Sequence, residues 1–102
     1  MVDLPKNING VEYQTQVVYY CVLGSDLCLV DVLIKLDANG KGFDFDVLKK
    51  WLNEEIEGKK STQEGITSDI QKHIKSSIGA EVVVETNSRR TDRGYQAKVI
   101  AS

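Results

Sequence analysis

Residues 11–22 (VEYQTQVVYYCV) alternate apolar and polar side chains and are rich in β-branched and aromatic types, which is the pattern of a strand. Residues 27–36 (LCLVDVLIKL) repeat it, and Gly24-Ser25 between them suits a two-residue hairpin turn with glycine at its first central position. If Leu23 faces Asp26 across that turn, one face carries Tyr13, Thr15, Val17, Tyr19 and Cys21 against Leu36, Ile34, Val32, Val30 and Cys28. That face is almost wholly apolar, and a one-residue slip would scatter it over both sides. The other face begins polar at Glu12, Gln14 and Gln16 but turns apolar at Val18, Tyr20 and Val22, opposite Leu27 and Leu29. A patch of that kind meets a partner, so the hairpin predicts a subunit interface and a homo-oligomer.

The period then changes. Phe45, Leu48, Leu52 and Ile56 recur at helical spacing, with Asp44 or Asp46 as the N-cap and Gly58 as the stop. A second helix is predicted from Ser61-Thr62-Gln63-Glu64; it aligns Ile66, Ile70, Ile74 and Ile78 and stops at Gly79. Residues 80–86 and 94–101 read as a closing hairpin joined by 87–93, while 1–10 is a turn-rich lead-in and 37–42 a loop. The order ββααββ predicts an α+β fold. A four-stranded antiparallel sheet would carry two helices on its one uniformly apolar face, with residues 1–102 as a single domain.

Composition narrows the classes. A chain of 102 residues, 41% hydrophobic and 27% charged, supports one modest core. Only about two-thirds of the unfolded surface can be buried at this length, so association would add stability. A net charge of -2 argues against general affinity for nucleic acid, although tRNA is left open as a partner. Arg89, Arg90 and Arg93 make a basic cluster, but in a predicted turn beside Thr91 and Asp92, where arginines are ordinarily solvated. No apolar run approaches the roughly 18 residues needed to cross a bilayer, and the N-terminus lacks the regions of a signal peptide. Two cysteines are too few for a disulfide-built scaffold, so a reducing, cytoplasmic compartment without a membrane partner is expected.

Few side chains could carry chemistry. Cys21 and Cys28 face each other in the register above as a hydrogen-bonded pair, a geometry that does not invite a disulfide, and buried cysteines commonly serve as small hydrophobes. His73 is the only histidine and has no second ligand at metal spacing, so no metal is expected. Gly40-Lys41-Gly42 is too short to cradle a phosphate. Glu64 admits two readings. Ser61-Thr62-Gln63-Glu64 matches a capping box in which the Glu64 carboxylate returns to the Ser61 N–H. The same carboxylate could instead accept two N–H donors from a planar heterocycle.

The order of elements resembles the tunnelling fold, the superfamily of GTP cyclohydrolase I, pyruvoyl-tetrahydropterin synthase, dihydroneopterin aldolase and the nitrile reductase of queuosine biosynthesis. Residues 59–67 (KKSTQEGIT) look like the GTP cyclohydrolase I stretch that carries a Gln-Glu pair at the start of its second helix. Residues 79–85 (GAEVVVE), followed by Arg93-Gly94, are similar to that family's next strand and loop. Residues 47–53 (VLKKWLN) resemble the first helix of the nitrile reductase and of its short archaeal relatives, the amidine-forming enzymes of archaeosine synthesis. The resemblance covers about half the chain. It implies a 7-deazaguanine or pterin-like ring bound at a subunit interface, with Glu64 and Gln63 as ligand-binding residues and Glu64 as the anchor. It also implies Cys21 as a nucleophile toward a nitrile such as that of preQ0, with Asp26 as the assisting acid.

The departures from those families matter. Val22-Leu23-Gly24 follows Cys21 where the zinc enzymes have two histidines, which argues against zinc-dependent cyclohydrolase chemistry. The reductase's nicotinamide motif is not intact around residues 44–50, so no cofactor is expected and an amidine-forming relative fits better than a reductase. Asp26 stands closer to Cys21 than in the family motif. The alternative is a non-catalytic oligomeric or interaction protein that kept the scaffold and lost the site.

Overall fold

The computed structural model describes residues 2–22, 24, 26–37, 40–90 and 93–102, with backbone alone for Val2, Lys41 and Arg90. Its strands are β1 (Val2–Asp3), β2 (Gly10–Cys21), β3 (Leu27–Asp37), β4 (Lys41–Gly42), β5 (Lys60–Ser61), β6 (Val82–Arg90) and β7 (Tyr95–Ala101). The helices are α1 (Phe45–Trp51), which continues as a widened turn over Leu52–Ile56, and α2 (Gln63–Ile78). The main sheet is five-stranded in the order β5-β2-β3-β6-β7, and β1 and β4 form a small separate ladder. The expected α+β fold with two helices on one face is present. Two short ladders, β1–β4 and the parallel β5 edge, extend it beyond four antiparallel strands.

The helices form where their apolar spacing and caps agree. The Asp44 carboxylate accepts from the Asp46 and Val47 N–H groups at 2.8 and 3.2 Å, so Asp44 rather than Asp46 caps α1. Leu48, Leu52 and Ile56 are all buried. In the widened turn the Glu57 N–H reaches the Leu52 carbonyl, five residues back, at 2.8 Å. In α2 the stripe Ile66, Ile70, Ile74 and Ile78 packs on the sheet, each side chain contributing about 1.5–3 kcal/mol by burial. Gly79 ends it in the left-handed conformation at φ 63°.

The register of the first hairpin differs from the expected one by two residues. Tyr19 pairs with Cys28 and Tyr20 with Leu27, and the Cys21 N–H donates to the Asp26 carbonyl at 2.9 Å. An even shift leaves every side chain on its original face, so the hydrophobic pattern cannot distinguish the two registers. The turn must decide, and Leu23 and Ser25 of that turn lie outside the described residues. Cys21 and Cys28 are therefore diagonal neighbours rather than opposed, and no disulfide joins them.

Strand β6 also runs further than expected, through Asn87 and Ser88 to Arg90. Its inward side chains change from Val82 and Val84 to Thr86 and Ser88, which are still buried. Polar partners on α2 make this affordable. The Thr67 and Thr86 hydroxyls lie 2.6 Å apart, Gln71 reaches the Val82 carbonyl, and Gln63 joins both strands of the last hairpin. Among the described residues, no buried side-chain polar atom lacks a partner. On the opposite face of the sheet Leu27 and Leu29 are 61% and 53% exposed, beside half-buried Val18 and exposed Tyr20 and Val22.

Candidate functional site

Strand β5 brings the site together. After the widened turn the chain reverses at Gly58 (φ 75°) and lies along the end of β2. Gly58 donates to the Val18 carbonyl at 2.8 Å, Tyr20 donates to the Lys59 carbonyl at 2.9 Å, and Val22 donates to that of Ser61 at 3.2 Å. The Glu57 carboxylate accepts the intervening Val18 N–H at 3.0 Å. Pairing Cys21 with Ser61 delivers the start of α2 directly beside the last residue of β2.

The cap of α2 is Thr62, whose hydroxyl accepts the Gly65 N–H at 3.0 Å. The capping box expected from Ser61 to Glu64 does not form, because Ser61 is held extended in β5 and Glu64 becomes the second helical residue. Glycine occupies the third position. A Cβ there would stand 2.5 Å from the Ser61 Oγ and 3.2 Å from the capping Thr62 Oγ1. Among the described residues the exposed Glu64 carboxylate has no hydrogen bond or ion pair.

Its neighbour Gln63 is committed elsewhere. The Gln63 Nε2 donates toward the Thr86 carbonyl, the Thr86 hydroxyl and the Ala97 carbonyl at 3.2, 3.2 and 3.1 Å. Its Oε1 accepts from the Ser88 hydroxyl at 2.9 Å. With 8% exposure, Gln63 fastens the helix start to β6 and β7 and so positions Glu64.

The ends of β2, β3 and α2 and the last hairpin enclose a cleft of about 470 Å³. The four residues to which the resemblance gives site roles all line it: Cys21, Asp26, Gln63 and Glu64. Cys21 leaves the helix-facing side of the sheet but lies at the sheet's end, where that side opens, and it is half-buried rather than sealed in the core. At the mouth the Arg93 guanidinium forms an ion pair with the Asp26 carboxylate. Arg93 is thus paired, not merely solvated; Arg89 and Arg90 belong to β6, and Thr91 and Asp92 lie outside the described residues.

The two aromatic lining residues, Tyr19 and Tyr95, were not singled out in the sequence as site residues. A phenol close to two cysteines at the end of the mostly apolar face was the available signal for Tyr19. Burial first, then the charge and hydrogen bond of Cys28, Cys21 and finally Glu64 push its phenol up to about 12. Outside the cleft, His73 lies flat on Trp51, with ring centroids 3.7 Å apart and 4° between planes. Among the described residues there is no group of three His, Cys, Asp or Glu side chains that could hold a metal. No helix among them is long and apolar enough to cross a membrane.

No family profile and no curated protein sequence matches the chain. Among solved structures, the archaeosine synthase QueF-Like in its apo form superposes with a TM-score of 0.83 at 18% identity, over 94% of each chain. An overlay of that extent at so low an identity is a statement about architecture, and the architecture is the one the element order implied. The chain has the fold of that archaeosine synthase structure.

Proposed function

We propose that the cleft binds the flat, guanidine-edged ring of a 7-deazaguanine or a pterin at a subunit interface, and that Cys21 adds to a nitrile carried by that ring. The observation that carries the reading is the gathering of Cys21, Asp26 and Glu64 around one cleft, with the Glu64 carboxylate uncommitted. A free carboxylate suits two adjacent ring N–H donors, a charge-assisted bidentate contact. Gln63 holds that carboxylate in place from behind, and Asp26 assists at the mouth. The similarity to an archaeosine synthase supports the choice of a 7-deazaguanine. The apolar patch on the far face of the sheet supports assembly with further copies of the chain.

Incubation with preQ0 and intact-protein mass spectrometry test the proposal. Thiol addition to a nitrile expels no leaving group, so the adduct weighs the protein plus the whole ligand. We expect that mass with the wild type and not with Cys21→Ala, and weakened ring binding with Glu64→Gln. A wild type that binds neither 7-deazaguanines nor pterins refutes it.

One observation favours a second, non-catalytic reading: Asp26 is already engaged by Arg93. Retained binding of preQ0 without any covalent mass would select that reading, in which the scaffold holds a ring but does not transform it.

A further inference from the structure

We infer that Tyr19 is the proton donor of the covalent step, giving its phenolic hydrogen to the nitrile nitrogen as the Cys21 sulfur joins the nitrile carbon. The inference rests on the reading above and assigns a residue to which the sequence resemblance gives no role. In the step a C–S bond forms and one C–N π bond breaks. Its electron pair moves to nitrogen, which must take a proton. The thiol proton has already left to water with formation of the thiolate, and the phenolate regains its proton from water. Nothing is oxidised or reduced.

The geometry favours Tyr19 over Asp26. Tyr19 stands two residues before Cys21 on β2, so both side chains leave the same side of the sheet, and both line the cleft. Tyr19 is paired across the ladder with Cys28 on β3, and its phenol lies in the field of the Cys21 thiol and of the Glu64 carboxylate on α2. The other charged groups around the cleft, Asp26 and Arg93, are paired with each other at its exposed mouth. The backbone of Tyr19 is fixed within the ladder and its ring is held in the core, so the hydroxyl is delivered from a rigid wall.

Proton bookkeeping points the same way. Addition needs an ionised thiol and a protonated donor at once. A thiol ordinarily titrates near 8.5, and a carboxylic acid is ionised long before that, near 4. A phenol pushed up to about 12 remains protonated throughout the range in which a thiol ionises.

The experiment measures the rate of preQ0 adduct formation by wild type, Tyr19→Phe and Cys21→Ala from about pH 6 to 10, with 7-deazaguanine affinity and melting temperature measured on each. For Tyr19→Phe we expect 7-deazaguanine to bind within about twofold of wild type while adduct formation slows roughly 100-fold. For the wild type, the rate divided by the thiolate fraction should stay flat across the range. That second readout needs no substitution, and a carboxyl donor would instead make it fall about tenfold per pH unit. Tyr19→Phe reacting at the wild-type rate, or such a fall, overturns the assignment while the covalent reading survives. A wild type that forms no adduct overturns both.

Discussion

Replacing Gln63 by leucine separates the residue that holds the site from the one that faces it. Leucine keeps the buried volume but removes the whole set of amide hydrogen bonds. The Thr86 hydroxyl keeps its 2.6 Å contact with Thr67, but the Ser88 hydroxyl loses its acceptor, and the Thr86 and Ala97 carbonyls lose an amide donor. A net hydrogen bond contributes about 1 kcal/mol, and a buried polar group left without a partner costs about 1–3 kcal/mol. The expected loss is therefore about 2–4 kcal/mol, a large share of the roughly 5–15 kcal/mol typical of a whole domain. For a chain this small it lowers the melting temperature by something on the order of 15 °C.

Equilibrium urea denaturation of the wild type, Gln63→Leu, Ser88→Ala and the double variant reads it directly. The two single losses should exceed the double loss by roughly 1 kcal/mol, because both remove the same hydrogen bond. The adjacent Glu64→Gln should change stability by no more than about 0.3–1 kcal/mol, the value of one charge in the first turn of a helix. A Gln63→Leu loss below about 0.5 kcal/mol with an unchanged denaturant slope would refute the account of how the helix start is anchored.

Thr62→Ala should cost about 1 kcal/mol in the same assay, whereas Ser61→Ala should cost far less, since Thr62 is the cap; equal losses would restore the capping box. Burial, opposed by the Glu55 carboxylate, holds the His73 imidazole below its ordinary value. The unfolded chain then binds the proton more strongly, so this contribution is present above about pH 6.5 and is lost as pH falls toward the lower folded value. The urea midpoint should drop between neutral and mildly acidic pH by more in wild type than in His73→Gln, and parallel curves would contradict this. Leu29→Asp on the far face should convert an assembly into monomers by light scattering without reducing secondary structure, and a wild type that is already monomeric would end the interface proposal.

Much of the fold was legible from the chain alone. The isoleucine stripe of α2, its stop at Gly79 and the apolar side of β2 and β3 are local patterns, set by periods of 3.6 and 2 and by a glycine that tolerates positive φ. The site residues were legible as types: a carboxylate at a helix start, a cysteine at a strand end. What the pattern could not carry was anything that depends on which backbone groups meet across the chain. The hairpin could shift by two residues without moving a side chain between faces, so the neighbour of Cys28 was ambiguous until the fold placed Tyr19 there.

The extension of β6 through Asn87 and Ser88 ran against local propensity and was decided by buried partners on α2. The two-residue β5 has no sequence signature at all. Yet its backbone hydrogen bonds to the end of β2 move the cap from Ser61 to Thr62, free the Glu64 carboxylate and bring it to Cys21. The sequence by itself determined which residues could act. Tertiary structure decided which of them meet, because hydrogen bonds between segments some forty residues apart, such as Val18 to Glu57, leave no trace in local periodicity.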